Sequence, residues 1–238
     1  MDKMEDRTGA AFDRVIGNTA NAVASGALIP HVGLDTASLA ASALGSLAEE
    51  ISFLTRKGSV IGIRRVRRLL ARSAEEADVT ETELLKAVGS SEHKLDLFMQ
   101  AMDAARYSRA EAKIDALARA FVTGVFAEDP DTVEEQIIIT NTLAQLEMAD
   151  LRLLSLLSKE APHEIPDERQ EKLRFAWRRD EIVTDEPGLL NVLDAAIAKT
   201  HGLGLIYDEG IGRLGYRPYW KLTEFGCACI QAMVNRVE

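Results

Sequence analysis

Leu203-Gly204-Leu205-Ile206, a glycine-rich turn, and then Tyr219-Trp220-Lys221-Leu222-Thr223-Glu224-Phe225-Gly226 decide how this chain is built. The first run is short and apolar, as a half-buried strand is. Gly210 and Gly212 mark a turn tip. Tyr219 to Leu222 reads as a second strand, and Thr223 before Glu224 reads as the cap of a closing helix. A two-stranded flap of this size needs other elements to pack on, and the chain before it supplies helices.

Working backwards, Asp150 to Leu157 predicts a helix that begins the C-terminal unit near Met148. Ala161 to Asp167 holds two prolines in five residues and predicts a loop. Glu168 to Glu181 predicts a second helix, with Leu173, Phe175, Ala176 and Trp177 partly buried. Pro187 to Thr200 predicts a third, with Pro187 in its first turn, Gly202 at its end, and Leu189, Leu190, Leu193, Ala196 and Ile197 facing inward. Three helices closed by a hairpin make a winged helix, expected over residues 148–238.

Residues 55–147 predict a helical bundle. Thr80-Glu81-Thr82-Glu83 and Ser108-Arg109-Ala110-Glu111 have capping-box spacing. Leu95, Phe98, Met99, Met102 and Ala105 share one helical face, as do Ile114, Leu117, Phe121 and Val125. Glu128-Asp129-Pro130 stops one helix and starts the next, which carries Ile137-Ile138-Ile139, Leu143 and Leu146. Three or four antiparallel helices over 80–146 follow. Residues 1–54 form a segment rich in small residues: Gly17, Ala20 and Ala24, then Ala37, Ala41 and Gly45. Such spacing lets helix backbones approach closely. Val15 to Leu34 carries no charge but is interrupted by Asn18, Asn21, Pro30 and His31. It predicts two short packed helices, with a conditional membrane-inserting hairpin as the alternative. Met1 to Arg7 alternates charge and has no apolar core, so no signal peptide is expected.

The 238 residues are 47% hydrophobic and only 5% aromatic, which favours a folded, helix-rich chain. The net charge of −10 repels nucleic acid and anionic lipid except at local basic patches. One such patch is Arg64, Arg65, Arg67, Arg68 and Arg72. It predicts a solvated helix face paired with Glu75 and Glu76, or else a contact for phosphates or lipid headgroups. A second is Arg213, Arg217 and Lys221 around the flap, with Lys199 on the third helix and Arg174, Arg178 and Arg179 on the second.

No chemistry-bearing constellation stands out. His31, His93, His163 and His201 are isolated from other ligand-type residues at metal spacing. Cys227-Ala228-Cys229 lacks the spacer of a metal knuckle or redox pair and reads as two buried small apolar residues in a reducing compartment. The glycine pairs at 202–204 and 210–212 do not lie between a strand and a helix, as a dinucleotide site requires. No catalytic residue, metal or cofactor is expected.

In a winged helix the third helix enters the major groove. Here its outward positions are Asn191, Asp194, Ala195 and Lys199, a thin set for reading bases. Residues 148–238 hold 12 Lys and Arg against 15 Asp and Glu, so acids exceed bases by three, where DNA-binding modules show a basic excess. Protein contact or dimerisation is the expected use.

Through Gly204-Leu205-Ile206 and Leu222-Thr223-Glu224-Phe225-Gly226 the last 50 or so residues resemble winged-helix domains of bacterial regulators. Residues 15–126 resemble uncharacterised bacterial proteins of the abortive-infection alpha family. The segment 15–48, the arginines at 64–72, and Ala105 to Ile114 before Leu117-Ala118-Arg119-Ala120-Phe121 carry that likeness. It implies a prophage or phage-defence setting and no known enzymatic residue. The expectation is therefore a mainly α, cytoplasmic, non-catalytic interaction or regulatory protein with a protein partner or self-association. One alternative is a DNA-binding regulator acting through Arg213, Arg217, Lys221 and Lys199. The other is a membrane-active defence effector acting through residues 15–54 and the arginines that follow.

Overall fold

In a computed structural model of the chain, residues 60–162, 173–210 and 216–233 are described. The expected small-residue segment 1–54 and the flap tip at 211–215, with Arg213, lie outside them.

The described residues are mainly helical, with one small antiparallel sheet near the C-terminus. The helices are α1 (Val60–Glu76), α2 (Glu81–Val88), α3 (Glu92–Tyr107), α4 (Glu111–Val125), α5 (Pro130–Gln145), α6 (Met148–Leu157), α7 (Arg179–Asp185), α8 (Leu193–Gly202) and α9 (Glu224–Met233). Strands β1 (Ile206–Asp208) and β2 (Trp220–Leu222) stand between α8 and α9. The chain divides into two compact units: Met1–Ser108 with Leu117–Thr140, and Arg109–Ala116 with Asn141–Glu238.

In the first unit α1 packs on α2 and α3. Thr80 starts α2 as its spacing predicts: Glu83 N–H donates to Thr80 Oγ1 at 3.2 Å, and Thr80 N–H donates to the Glu83 carboxylate at 2.9 Å. Each side chain thereby satisfies a backbone donor that the helix start leaves open. Asp129 opens α5 in the same manner, accepting Asp131 and Thr132 N–H groups at 3.2 and 3.3 Å ahead of Pro130. The core holds Phe98 and Phe121, ring centroids 5.7 Å apart, among Leu69, Leu84, Leu97 and Met102.

In the second unit α6 packs on α8, on β2 and on α9. Its core is Leu153, Leu154, Leu157, Trp177, Ile182, Leu193, Leu205 and Ile206, all within 2% of complete burial. The hairpin pairs Ile206 with Leu222, Tyr207 with Lys221 and Asp208 with Trp220. Gly204 at φ +72° turns the chain out of α8 into β1, a conformation that costs glycine nothing.

Two expected helices come out differently. The second is not helical at Ala176 to Arg178; α7 begins only at Arg179. Trp177 instead forms a β-bridge to Trp220, each N–H donating to the other's carbonyl at 2.9 Å. The spacing of Leu173, Ala176 and Trp177 suggests a helical face, but it records burial of an irregular segment, which periodicity alone cannot separate from a helix. The third helix is split. Pro187–Leu189 is a 3₁₀ turn, and α8 begins at Leu193. The break shifts the helical phase, so Leu190 faces solvent, 52% exposed, while Leu189, Leu193, Ala196 and Ile197 are buried as expected.

Gly226 sits one turn into α9, where a Cβ would lie 2.1 Å from the Leu205 carbonyl oxygen. Helix propensity alone favours alanine there by about 1 kcal/mol. The close approach reverses that sign, because the obstacle is backbone. Gly226→Ala is expected to destabilise the protein by about 3 kcal/mol, measured by urea unfolding; a neutral or stabilising effect would contradict the packing.

Candidate functional site

The chemistry-bearing groups of the second unit gather around the hairpin and the exposed side of α8. At the turn end of β1 Asp208 is 8% exposed and acts as an anchor. Its Oδ1 accepts the N–H groups of Gly210 at 2.7 Å and Tyr219 at 2.9 Å, and its Oδ2 accepts the Tyr216 hydroxyl at 2.5 Å. One carboxylate thus ties both sides of the flap. That bond, aided by burial, holds the Tyr216 phenol above its usual range, because losing the proton would set a phenolate against the carboxylate. Asp208 was not singled out from sequence. Its signal is an Asp two residues before a turn glycine at a strand end, the pattern of an Asx turn.

The third-helix lysine is already engaged. Lys199 Nζ lies 2.7 Å from Asp150 Oδ2, and that carboxylate, 3% exposed, also accepts Glu147 N–H at 2.8 Å. Withdrawing Lys199 to a phosphate would strand a buried carboxylate, which costs about 3 kcal/mol. The neighbouring Lys113 donates to the Ala144 and Leu146 carbonyls at 2.7 and 2.8 Å and so caps the end of α5. Burial pushes its ammonium below the usual lysine range. Asp150 and Lys199 are 49 positions apart, and no sequence pattern announces the pair.

The basic run of the second helix is likewise committed. Arg174 pairs with Glu160, Arg178 with Glu181 through Nε at 2.7 Å, and Arg179 with Asp194 through two bonds at 3.1 and 3.2 Å. Around the flap, Arg217 is exposed and Lys221 is half-buried on β2. The structure therefore places Lys199 in a structural pair, and leaves Arg217 and Lys221 on the hairpin.

The arginines of the first unit lie along α1. Arg64 is exposed, and Arg65, Arg67 and Arg68 are half-buried. Arg65 donates to the Arg106 carbonyl at 3.2 Å, and Arg72 pairs with Glu75 at 3.0 Å. Glu76 pairs with Arg119 at 3.8 Å and not with this run.

Between β2 and α9 lies an open groove of about 470 Å³ that exposes Tyr207, Lys221, Glu224 and Cys227. Burial, then the Glu209 carboxylate, raise the Tyr207 phenol. No general base is hydrogen-bonded to the Cys227 thiol in any bond seen among the described residues, and no group of three or more His, Cys, Asp or Glu side chains there is placed to hold a metal ion. Cys227 is exposed and Cys229 buried, against the expectation that both are buried. Two helical steps rotate the second side chain about 200° from the first, so one faces the core and the other the groove.

On the other side the chain from Asp180 to Ala198 carries five acids and no Lys, Arg or His. Leu190 and Val192, 52% and 42% exposed, stand at the entrance to α8, with Asn191, Asp194 and Ala195 also exposed. This surface is apolar and acidic, with the exposed Arg152 guanidinium lying beside Gly188 of the 3₁₀ turn. Among the described residues no helix is long and apolar enough to cross a membrane. Compared with family models, with curated proteins and with solved structures, the chain matches none.

Two outcomes test this geometry. Asp208→Ala leaves the Gly210 and Tyr219 N–H groups without their acceptor and is expected to cost about 2–4 kcal/mol, read from chemical denaturation. Burial raises the Cys229 thiol to about 12. A thiol reagent is therefore expected to modify Cys227 alone in the native protein and both cysteines after unfolding, counted by mass spectrometry; rapid native modification of Cys229 would contradict its burial.

Proposed function

We propose that the chain is a non-catalytic interaction protein whose C-terminal unit is a winged helix turned to protein contact. The order of elements supports the winged-helix reading. Among the described residues, α6 precedes the extended Trp177, α7 and α8 follow, then the hairpin, and Trp177 bridges to Trp220 of that hairpin. A strand contributed between the first two helices and joined to the flap is how a winged helix closes its sheet. In such a unit α8 stands where the groove-entering helix is presented, so the alternative reading as a reader of DNA turns on what α8 and its entrance expose.

One observation carries the choice of protein over DNA. The entrance and exposed side of α8 offer Leu190, Val192 and Ala195, the flanking acids Asp185 and Glu186 outnumber the exposed Arg152 beside Gly188, and Arg179 and Lys199 are bound to Asp194 and Asp150. Phosphates need available cations, and an acidic face repels them. Exposed aliphatic side chains beside a helix start are instead what a protein partner covers. The self-association expected through residues 1–54, and the defence setting implied by resemblance, belong to the same proposal and rest on sequence alone.

Fluorescence anisotropy with random duplex DNA at low salt is expected to show no saturable binding; binding that falls steeply as salt rises would overturn the reading in favour of a DNA-binding regulator. In parallel, Leu190→Ser and Val192→Ser are expected to change stability by no more than about 0.5 kcal/mol, whereas Leu193→Ala, at full burial, should cost about 2–5 kcal/mol. Thermal unfolding of the three variants distinguishes a partner-facing pair from core residues.

A further inference from the structure

We propose that the outward side of α1, from Val60 to Arg72, docks on the headgroup plane of an acidic phospholipid membrane. This surface belongs to the first unit and is independent of protein contact at the second. The helix lies along such a plane and does not pierce it, because no described helix is long and apolar enough to cross a membrane.

Helical periodicity divides α1 into two sides. Gly62, Val66, Leu69, Leu70, Ser73 and Ala74 are buried where α1 packs on α2 and α3. Ile61, Arg64, Arg68 and Arg72 recur at three- and four-residue steps and define the opposite side, with the half-buried Arg65 and Arg67 at its borders. The 15 residues from Val60 to Ala74 hold five arginines and no Asp or Glu, in a chain whose net charge is −10. Acids follow only at the C-terminal end of α1, where Glu75 meets Arg72 at 3.0 Å and Glu76 meets Arg119 at 3.8 Å. Arg65 is steadied by donating to the Arg106 carbonyl at 3.2 Å, and a neutral acceptor leaves its guanidinium fully charged. This side of α1 is therefore cationic along three turns, and an anionic surface is its complement.

Apolar groups at the same end select a membrane over a nucleic acid. Val60 and Ile61 are 74% and 61% exposed, one turn from Arg64 and Arg65. Tyr107 is 68% exposed at the end of α3, with the Arg106 guanidinium 5.5 Å from its ring centre and the Arg106 carbonyl holding Arg65. Asp103, one turn before Tyr107, is one exposed acid against Arg64, Arg65 and Arg106. Exposed aliphatic side chains gain nothing from a sugar–phosphate backbone. At a bilayer surface they leave water for the acyl boundary, while guanidiniums reach the lipid phosphates and a tyrosine ring sits at headgroup level.

The full chain is sedimented with vesicles of phosphatidylcholine and with vesicles of phosphatidylcholine mixed with phosphatidylserine. It is expected to pellet with the acidic vesicles, to stay in the supernatant with the neutral ones, and to dissociate as salt is raised. Arg64→Gln is expected to weaken binding about fivefold, and Arg64→Glu about thirtyfold because it changes the charge by two. Val60→Ser with Ile61→Ser is expected to weaken it by about tenfold or more. All three positions are exposed, and unchanged thermal unfolding of each variant separates loss of binding from loss of fold. No pelleting with acidic vesicles, equal pelleting with neutral ones, or binding untouched by either Arg64→Glu or the double variant would overturn the proposal. Release from the vesicles by inorganic phosphate at constant ionic strength would indicate a small-anion site and overturn the membrane assignment. So would saturable anisotropy with single-stranded or duplex DNA that Arg64→Glu abolishes and the aliphatic double variant keeps, since the arginines would then serve nucleic-acid phosphates.

Discussion

The second unit depends on a seam a few atoms wide, where the start of α9 meets the end of α8. Thr223 N–H donates to the Leu205 carbonyl at 3.0 Å, and the Thr223 hydroxyl donates to the Gly204 carbonyl at 2.7 Å. The same hydroxyl oxygen accepts Gly226 N–H at 2.9 Å. One threonine therefore caps α9 and ties it to the turn that leaves α8. Gly226 permits it, because any side chain there would strike the Leu205 carbonyl. The register of the hairpin follows, since Leu222 precedes Thr223 and pairs with Ile206, which follows Leu205. A shift of one residue would turn every hairpin side chain to the opposite face.

From that register come the positions that matter for function. Ile206 and Asp208 point to one side of β1 and are buried. Asp208 there collects the two ends of the flap. Trp220, opposite Asp208, reaches Trp177 through its backbone and His201 through its ring, edge-on at 5.9 Å. Trp177 Nε1 in turn donates to the Lys159 carbonyl at 3.0 Å. The hairpin is thus fastened to both the segment before α7 and the end of α8. Lys199, Arg178 and Arg179 are held in ion pairs with Asp150, Glu181 and Asp194, while Arg217 and Lys221 stay on the hairpin and Arg152 lies exposed beside Gly188. The ion pairs that join α6, α7 and α8 engage three of the cations that a nucleic acid would otherwise meet on this unit.

Local signals were read well because their causes are local. The Thr80 capping box, the Asp129-Pro130 start of α5 and the Thr223 cap each depend on atoms within three residues of one another. The burial of Phe98, Met102, Ala105, Leu117 and Phe121 follows from helical spacing alone. The failures share the opposite property. Trp177 leaves helical geometry because Trp220, 43 positions away, offers it a paired carbonyl and N–H. Leu190 turns outward because a short 3₁₀ turn interrupts the periodicity that Pro187 and the following leucines suggest. Cys227 and Cys229 are chemically alike in the sequence, yet the packing of α9 exposes one and buries the other.

What the sequence determined by itself is the helical character of the described chain, most helix starts, the hairpin with its threonine-capped helix, and the acidity of the region between Arg179 and Lys199. Each depends on residue type and short-range spacing, which the chain carries with it. Only the tertiary structure decided which charges were available. Lys199 reads as a surface cation until folding brings it to Asp150, and Asp208 reads as one acid among many until folding brings Tyr216 and Tyr219 to it. Ion pairs and buried hydrogen bonds between distant residues depend on where the backbone places them, and that placement is a property of packing that no local pattern contains.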